Sequence, residues 1–178
     1  MGNITKPSQV KLFIGMLSNE ESLFAAVDDQ LRSIYGDIDF ESHVWPWEHT
    51  KYYSKEMGEG LKRRFVFFEK HVNPGEISDI KVQTNEIEKQ FLSAEGGRKI
   101  NLDPGYLDSA KLLLVSTKNF CHRGYLDKGV YGEVTLIYSG DNFQSMPYTF
   151  PDYKTDEYIE VFKEARRLFK ENVQVNVL

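Results

Sequence analysis

The stretch Lys62-Arg63-Arg64-Phe65-Val66-Phe67-Phe68-Glu69-Lys70-His71-Val72-Asn73-Pro74-Gly75-Glu76 decides the fold. Phe65 to Phe68 are consecutive and apolar, so a strand predicted over Lys62 to Val72 meets apolar material on both faces, as a central strand does. Asn73 then supplies a cap, Pro74 a first turn and Glu76 an acid, which together open a helix. Ile77, Ile80, Thr84, Ile87 and Phe91 hold one helical face, and Gly96-Gly97 stops it before a strand near Arg98 to Leu102. Upstream, Val10 to Leu17 reads as a buried strand, and Ser18 with Glu21 has the form of a capping box. Leu23, Val27, Leu31 and Ile34 keep helical spacing up to Gly36, and Ile38 to Trp47 is extended. Strand, helix, strand, strand, helix, strand fits an α+β fold with a ferredoxin-like βαββαβ core, an antiparallel sheet with two helices on one face. Further C-terminal strands are expected near Ala110 to Thr117, His122 to Leu126, Val130 to Tyr138 and Gln144 to Phe150. A C-terminal helix follows, roughly Asp156 to Asn172, capped by Thr155 and turning Ile159, Phe162, Leu168 and Phe169 inward.

The 178 residues suit a single domain over 1–178, and the 40% hydrophobic and 13% aromatic content suffices for a packed core. Against 27 acidic residues stand 22 basic ones, a net charge of -5, which argues against non-specific nucleic-acid binding because that requires surplus Lys and Arg. Cys121 stands alone, so it forms no intramolecular disulfide and no zinc framework, and a reducing, cytoplasmic setting is the simplest expectation. Met1 to Lys11 lacks the order of a signal peptide, Lys6 stands where N-myristoylation needs Ser or Thr, and Leu112 to Val115 is too short a run to cross a bilayer. No membrane association is expected.

Candidate chemistry is densest between Asn101 and Glu133. Asp103-Pro104-Gly105-Tyr106 places proline and glycine at the centre of a type II β-turn, which would present Asp103 and Tyr106 together, although a purely structural turn uses the same residues. Asp127-Lys128-Gly129 has the form of a three-residue hairpin loop that sets Leu126 against Val130, Tyr125 against Tyr131 and Arg123 opposite Glu133. Alternation then puts Arg123, Tyr125, Tyr131, Glu133 and Thr135 on one face and His122, Gly124, Val130, Gly132, Val134 and Leu136 on the other. On that register His122 and Arg123 point apart unless a bulge intervenes, and a one-residue slip brings His122 opposite Glu133 instead. A cross-strand Arg123–Glu133 ion pair is the plain structural reading. Cys121 and His122 as strand neighbours make a poor nucleophile–base pair. His43, His49, His71 and His122 lack metal-ligand spacing, so no metal site is assigned; His122 with Asp103 and Glu133 is the one grouping that offers an oxygen-rich alternative.

The segment Trp45 to Tyr53, followed by Glu56 to Arg64, combines rings with charges in the manner of a lid that stacks on a ligand ring and pairs with phosphate or carboxylate. Met146-Pro147-Tyr148-Thr149-Phe150-Pro151-Asp152-Tyr153 is a second proline-fixed aromatic loop. No P-loop, Gly-x-Gly-x-x-Gly, Gly-x-Ser-x-Gly or His-Glu-x-x-His string occurs.

Taken together, Glu56-Met57-Gly58-x-Gly60-Leu61-Lys62-Arg63-Arg64-Phe65, Asn101 to Leu107, His122-Arg123-x-Tyr125-Leu126 and Tyr148 to Tyr153 resemble the bacterial and archaeal proteins catalogued as domain of unknown function 4416. The likeness spans nearly the whole chain; Gly124 and Tyr148 depart from it, standing where a bulkier residue and a tryptophan are expected. The resemblance implies a prokaryotic protein in which Glu56, His122, Arg123 and Asp152 share one site with the aromatic loops. It implies no established activity, and a GTP-binding label borne by some relatives has no physical counterpart in a chain without a P-loop. The leading expectation is a pocket for a small anionic ligand, a nucleotide or phosphorylated metabolite. Lys62, Arg63 or Arg123 would engage the anion, with Tyr106 and Tyr148 beside it and Asp152 completing the site. The alternatives are a metal- or His/carboxylate-dependent enzyme such as a hydrolase, and a protein-interaction module. In the first, His122 acts as general acid or base with Asp103, Glu133 or Glu56 as base or ligand. In the second, the aromatic loops form an exposed patch. No motif names a cofactor.

Overall fold

A computed structural model describes residues 2–48 and 53–175; His49 to Tyr52 of the first aromatic loop lie outside the described residues. In chain order the elements are β1 (Lys11–Ser18), α1 (Ser22–Tyr35), β2 (Ile38–Glu41), β3 (Trp45–Pro46), α2 (Ser54–Met57) and β4 (Lys62–Phe68). After these come α3 (Ile77–Glu88), β5 (Ile100–Leu107), β6 (Lys111–Ser116), β7 (Gly124–Asp127), β8 (Val130–Ser139), β9 (Asn142–Ser145) and α4 (Asp156–Val175). The strands form one nine-stranded sheet in the order β2-β4-β1-β5-β6-β8-β7, with β3 on β4 and β9 on β8, and every pairing is antiparallel. The fold is therefore α+β, with a large antiparallel sheet extended past β5 by C-terminal strands.

Strand alternation sorts the apolar residues into two cores. Leu12, Ile14, Met16, Val66, Phe68, Ile100 and Leu102 face α1 and α3, meeting Phe24, Val27 and Leu31 from the first and Ile77, Ile80 and Ile87 from the second. Phe13, Phe65, Phe67, Leu107, Leu112 and Leu114 face α4 and pack on Tyr158, Ile159, Phe162, Ala165 and Phe169. Phe65 to Phe68 thus fill both faces of a strand that has β2 and β1 for neighbours. Thr155 Oγ1 accepts the Tyr158 N–H at 3.4 Å, the expected cap of α4, and Asn73 Oδ1 accepts the Gly75 N–H at 2.8 Å before α3.

Several local expectations are corrected. Ser18 forms no capping box: its hydroxyl donates to Lys99 O at 2.7 Å and accepts the Glu20 N–H at 3.0 Å, while α1 begins after Glu21. The hairpin loop has two residues, not three, with Lys128 and Gly129 both at positive φ (52° and 75°), the backbone of a type I′ turn. The pairs are Gly124↔Gly132, Tyr125↔Tyr131 and Asp127↔Val130, with a bulge that leaves Leu126 unpaired. Another bulge in β8 sets Leu112 against Leu136 but Leu113 against Val134, so Leu136 crosses to the α4 side, away from Val130.

The largest correction concerns Asp103-Pro104-Gly105-Tyr106, which is no turn but the middle of β5, paired along β1 from Leu107 to Ile100. The actual turn is one step on, where Asp108 Oδ1 accepts the Ala110 and Lys111 N–H groups at 2.7 and 2.9 Å. Gly105 is required there by a close approach: a Cβ would stand 2.4 Å from Leu113 O and 2.5 Å from Phe13 Cζ. Asp108 N donates to Lys111 O at 3.0 Å, so the backbone groups of Tyr106, Pro104 and Leu102 face the same edge by alternation. Pro104 has no N–H to offer at that edge, and pairing with β6 runs only from Gly105 to Leu107. Beyond it the two strands part. Leu102 takes its partners from α3 instead, its N–H donating to Glu88 Oε1 at 2.6 Å and its C=O accepting from Lys81 Nζ at 2.7 Å.

Candidate functional site

Where β5 and β6 diverge, the α4-facing side of the sheet holds a cavity of about 410 Å³. Asp103 of β5, Leu114 to Ser116 of β6, Arg63 of β4 and Glu133 of β8 line it, closed over by Trp47, Tyr53, Phe120, Phe150, Pro151 and Tyr153. Its floor is organised around Arg63, which is 3% exposed. Leu17↔Arg63 and Gly15↔Asp103 are the registers on either side of β1, and Gly15, with no side chain, lets the guanidinium pass across that strand. A Cβ on Gly15 would meet Arg63 Nη1 at 3.1 Å. Arg63 Nη1 donates to Asp103 Oδ2 at 3.3 Å, and Nη2 lies 3.8 Å from Asp152 Oδ2. Asp152 also accepts from Trp47 Nε1 at 3.0 Å, and the guanidinium carbon lies 5.7 Å from the Trp47 ring centroid. Among the described residues Arg63 Nε is buried without a hydrogen-bond partner, so the five donors of this arginine are not exhausted by its contacts.

A chain of polar contacts supports that floor from outside. Asn101 Nδ2 donates to Asp103 Oδ2 at 2.7 Å and its Oδ1 accepts from Arg98 Nη1 at 2.8 Å. Arg98 in turn grips Glu56 with two bonds of 2.7 and 2.9 Å and reaches Glu88 at 3.2 Å. Burial favours the neutral acid of Asp103, but Lys81, Arg63 and the Asn101 hydrogen bond outweigh it and hold the carboxyl below the usual aspartate value. Burial likewise opposes the Arg63 charge, and the Asp103 and Asp152 carboxylates outweigh it, keeping the group above the ordinary arginine value. Burial pushes the Tyr153 phenol far up, so it stays neutral, and its hydroxyl has no hydrogen-bond partner among the described residues.

Glu133 forms the opposite wall. Its Oε2 accepts from Arg123 Nε at 2.7 Å and lies 3.0 Å from His122 Nε2. The expectation that His122 and Arg123 point apart fails because β7 begins only at Gly124. Both residues belong to the turn before it, where strand alternation does not apply. His122 is clamped between rings, 4.5 Å and 7° from Tyr148 and 5.9 Å from Phe120, while Arg123 Nη1 donates to Lys118 O at 2.9 Å.

The structure thus brings Arg63, Asp103, Arg123, Glu133 and Asp152 to one cavity, with His122 and Tyr148 directly behind Glu133. Glu56 stands one ion pair further out. Two residues expected at the site lie elsewhere. Tyr106 faces the α1/α3 core, since a strand sends it to the opposite side from Asp103. Lys62 Nζ pairs with Glu21 at 2.5 Å on the surface. Sequence reasoning took in Trp47 and Tyr153 only as members of the two aromatic loops and Asn101 only as the start of the dense stretch, and it did not single out Phe120 or Arg98. Asn101 was within reach of it, being two residues from Asp103 and hence on the same face once the segment is read as a strand. Among the described residues no group of three or more His, Cys, Asp or Glu side chains is arranged to hold a metal ion, and no helix is long and apolar enough to cross a membrane.

An antiparallel α+β sheet opened at a proline to enclose a cavity with paired arginines and aromatic walls is the class of protein defined here. The chain belongs to the family described as Domain of unknown function (DUF4416), which it matches over residues 8–169. No curated protein and no solved structure matches it.

Proposed function

We propose that the cavity binds a small anionic ligand carrying a ring, a nucleotide or phosphorylated metabolite, in a cytoplasmic setting. The observation that carries this reading is the convergence of Arg63 and Arg123 on one aromatic-walled cavity, with Arg63 loosely paired and its Nε unpartnered. Two features support it further. The volume of about 410 Å³ falls in the usual range for small-molecule sites. Trp47, Phe120 and Phe150 give stacking surfaces beside cations that suit phosphate or carboxylate. The strand order β2-β4-β1-β5 with α1 and α3 on one face also supports reading the first part of the chain as a ferredoxin-like βαββαβ core.

A thermal-shift screen of anionic metabolites tests the function. A true ligand raises the melting temperature of the wild type further as its concentration climbs above the dissociation constant, and Arg63→Gln removes most of that rise. A panel with no stabilising anion, or an Arg63→Gln protein that responds as the wild type does, contradicts the proposal. An enzymatic reading is favoured by one observation, Glu133 and Asp103 lining the same cavity with His122 hydrogen-bonded to Glu133. It casts Glu133 as the general base and His122 as the residue that orients it, and predicts turnover abolished by Glu133→Gln with ligand binding retained.

A further inference from the structure

We infer that the ligand of this cavity has two polar ends, an anionic group met by Arg63 and an N–H or O–H donor met by Glu133 Oε1. The inference rests on the anion-binding reading above and adds what the other end of the ligand must carry.

Glu133 is buried, with 2% of its side chain exposed, and its two oxygens are unequally used. Both Arg123 Nε and His122 Nε2 crowd onto Oε2, at 2.7 and 3.0 Å. Among the described residues Oε1 has only Thr135 Oγ1 at 3.5 Å, the outer limit of a hydrogen bond. An ionised carboxylate offers about four acceptor positions, and a buried acceptor short of partners is costly. Two other buried carboxylates show the contrast, whereas Asp28, which does not line the cavity, also leaves one oxygen, Oδ1, without a partner among the described residues. Glu88 uses Oε1 for the Leu102 N–H and Oε2 for Arg98, while Asp152 uses Oδ1 for the Tyr153 N–H and Oδ2 for Trp47 and Arg63. Glu133 alone among these three lines the cavity with one oxygen almost unengaged.

Its orientation is set in advance. Stacking on Tyr148 holds the His122 ring, the bond to Lys118 O holds Arg123, and together they keep Oε2 turned to themselves. Charge points the same way. The cavity is lined by Asp103, Asp152 and Glu133 against Arg63, Arg123 and Lys118, and the arginine at the Glu133 end, Arg123, is already paired with Oε2, so a second anion finds no free match beside Oε1. A donor there does.

Paired titrations of the full chain with phenyl phosphate and 4-aminophenyl phosphate, followed through the Trp47 indole resonance, test this. The two probes share ring and anion and differ by one amino donor. The wild type is expected to bind the amino compound about tenfold more tightly, the value of a hydrogen bond to a buried charged acceptor. Glu133→Gln should shrink the preference to within about twofold by removing the charge from the acceptor. Arg63→Gln should weaken both probes alike and leave their ratio intact. Equal binding of the two probes by the wild type overturns the inference about Glu133 while leaving the anion site standing, and needs no variant to fold. A preference that survives Glu133→Gln does the same. Failure of both probes to bind, or binding indifferent to Arg63→Gln, overturns the anion-binding reading and this inference with it.

Discussion

Gly105 and Gly124 show at single-residue scale how differently one amino acid is used. Gly105 sits where a Cβ would strike Leu113 O and the Phe13 ring, whereas nothing lies within 4 Å of the position a Cβ would take at Gly124. Gly105→Ala is therefore expected to cost about 3 kcal/mol, as overpacking between fixed backbones does, and Gly124→Ala less than about 0.5 kcal/mol. Urea denaturation of the two variants beside the wild type measures both. The open space at Gly124 also means that the bulkier residue expected there from the family resemblance would fit without disturbing the cavity. His71 gives a pH dependence. Burial lowers its pKa from 6.5, Lys11 lowers it further, and its Nε2 is buried beside Phe169 without a partner among the described residues. A lowered histidine pKa means the unfolded chain binds the proton more readily. Its contribution to stability is present above about pH 6.5 and is lost as pH falls through the folded value. Stability measured from pH 7.5 to 5 should fall more steeply for the wild type than for His71→Phe, which keeps the ring contact; parallel curves would refute the assignment.

Among the elements, β5 explains most of what sequence reading reached and missed. The hydrophobic period revealed β1, β4, α1, α3 and α4 because each has an apolar face built from local spacing. Asp-Pro-Gly-Tyr carries turn chemistry, yet β1 pairs with all of it, and non-local pairing overrode local preference. What made proline tolerable was the end of the β6 ladder at that residue, together with Glu88 and Lys81 in place of a strand for Leu102. Neither is visible without the tertiary structure. The same holds for His122 and Arg123, whose placement turned on where β7 starts and on a two-residue rather than a three-residue loop. Removing the side-chain substitute for a strand gives the test. In Glu88→Ala the Leu102 amide should exchange with deuterium about tenfold faster or more, while amides of the β1–β4 pairing keep their rates. An unchanged Leu102 rate would mean the bond from Glu88 does not hold that edge.

Across the whole molecule, two cores occupy opposite faces of one sheet, and the cavity lies where the α4 core gives way to the cluster of Leu17, Trp47, Met57 and Leu61. Arg63, Asp103, Glu133 and Asp152 come from distant parts of the chain, which is why composition and spacing marked the right motifs without showing which side chains meet. Strand parity then separated Asp103 from Tyr106, and surface pairing took Lys62 away, leaving Arg63, Arg123 and Lys118 as the cations of the cavity. The central claim is that Arg63 anchors an anion there. A crystal structure of the full chain soaked with phenyl phosphate tests it most directly. Phosphate density is expected within hydrogen-bond distance of the Arg63 guanidinium, with the phenyl ring against Trp47 or Phe120. Phosphate bound elsewhere, or a cavity holding only water at saturating ligand, would contradict it.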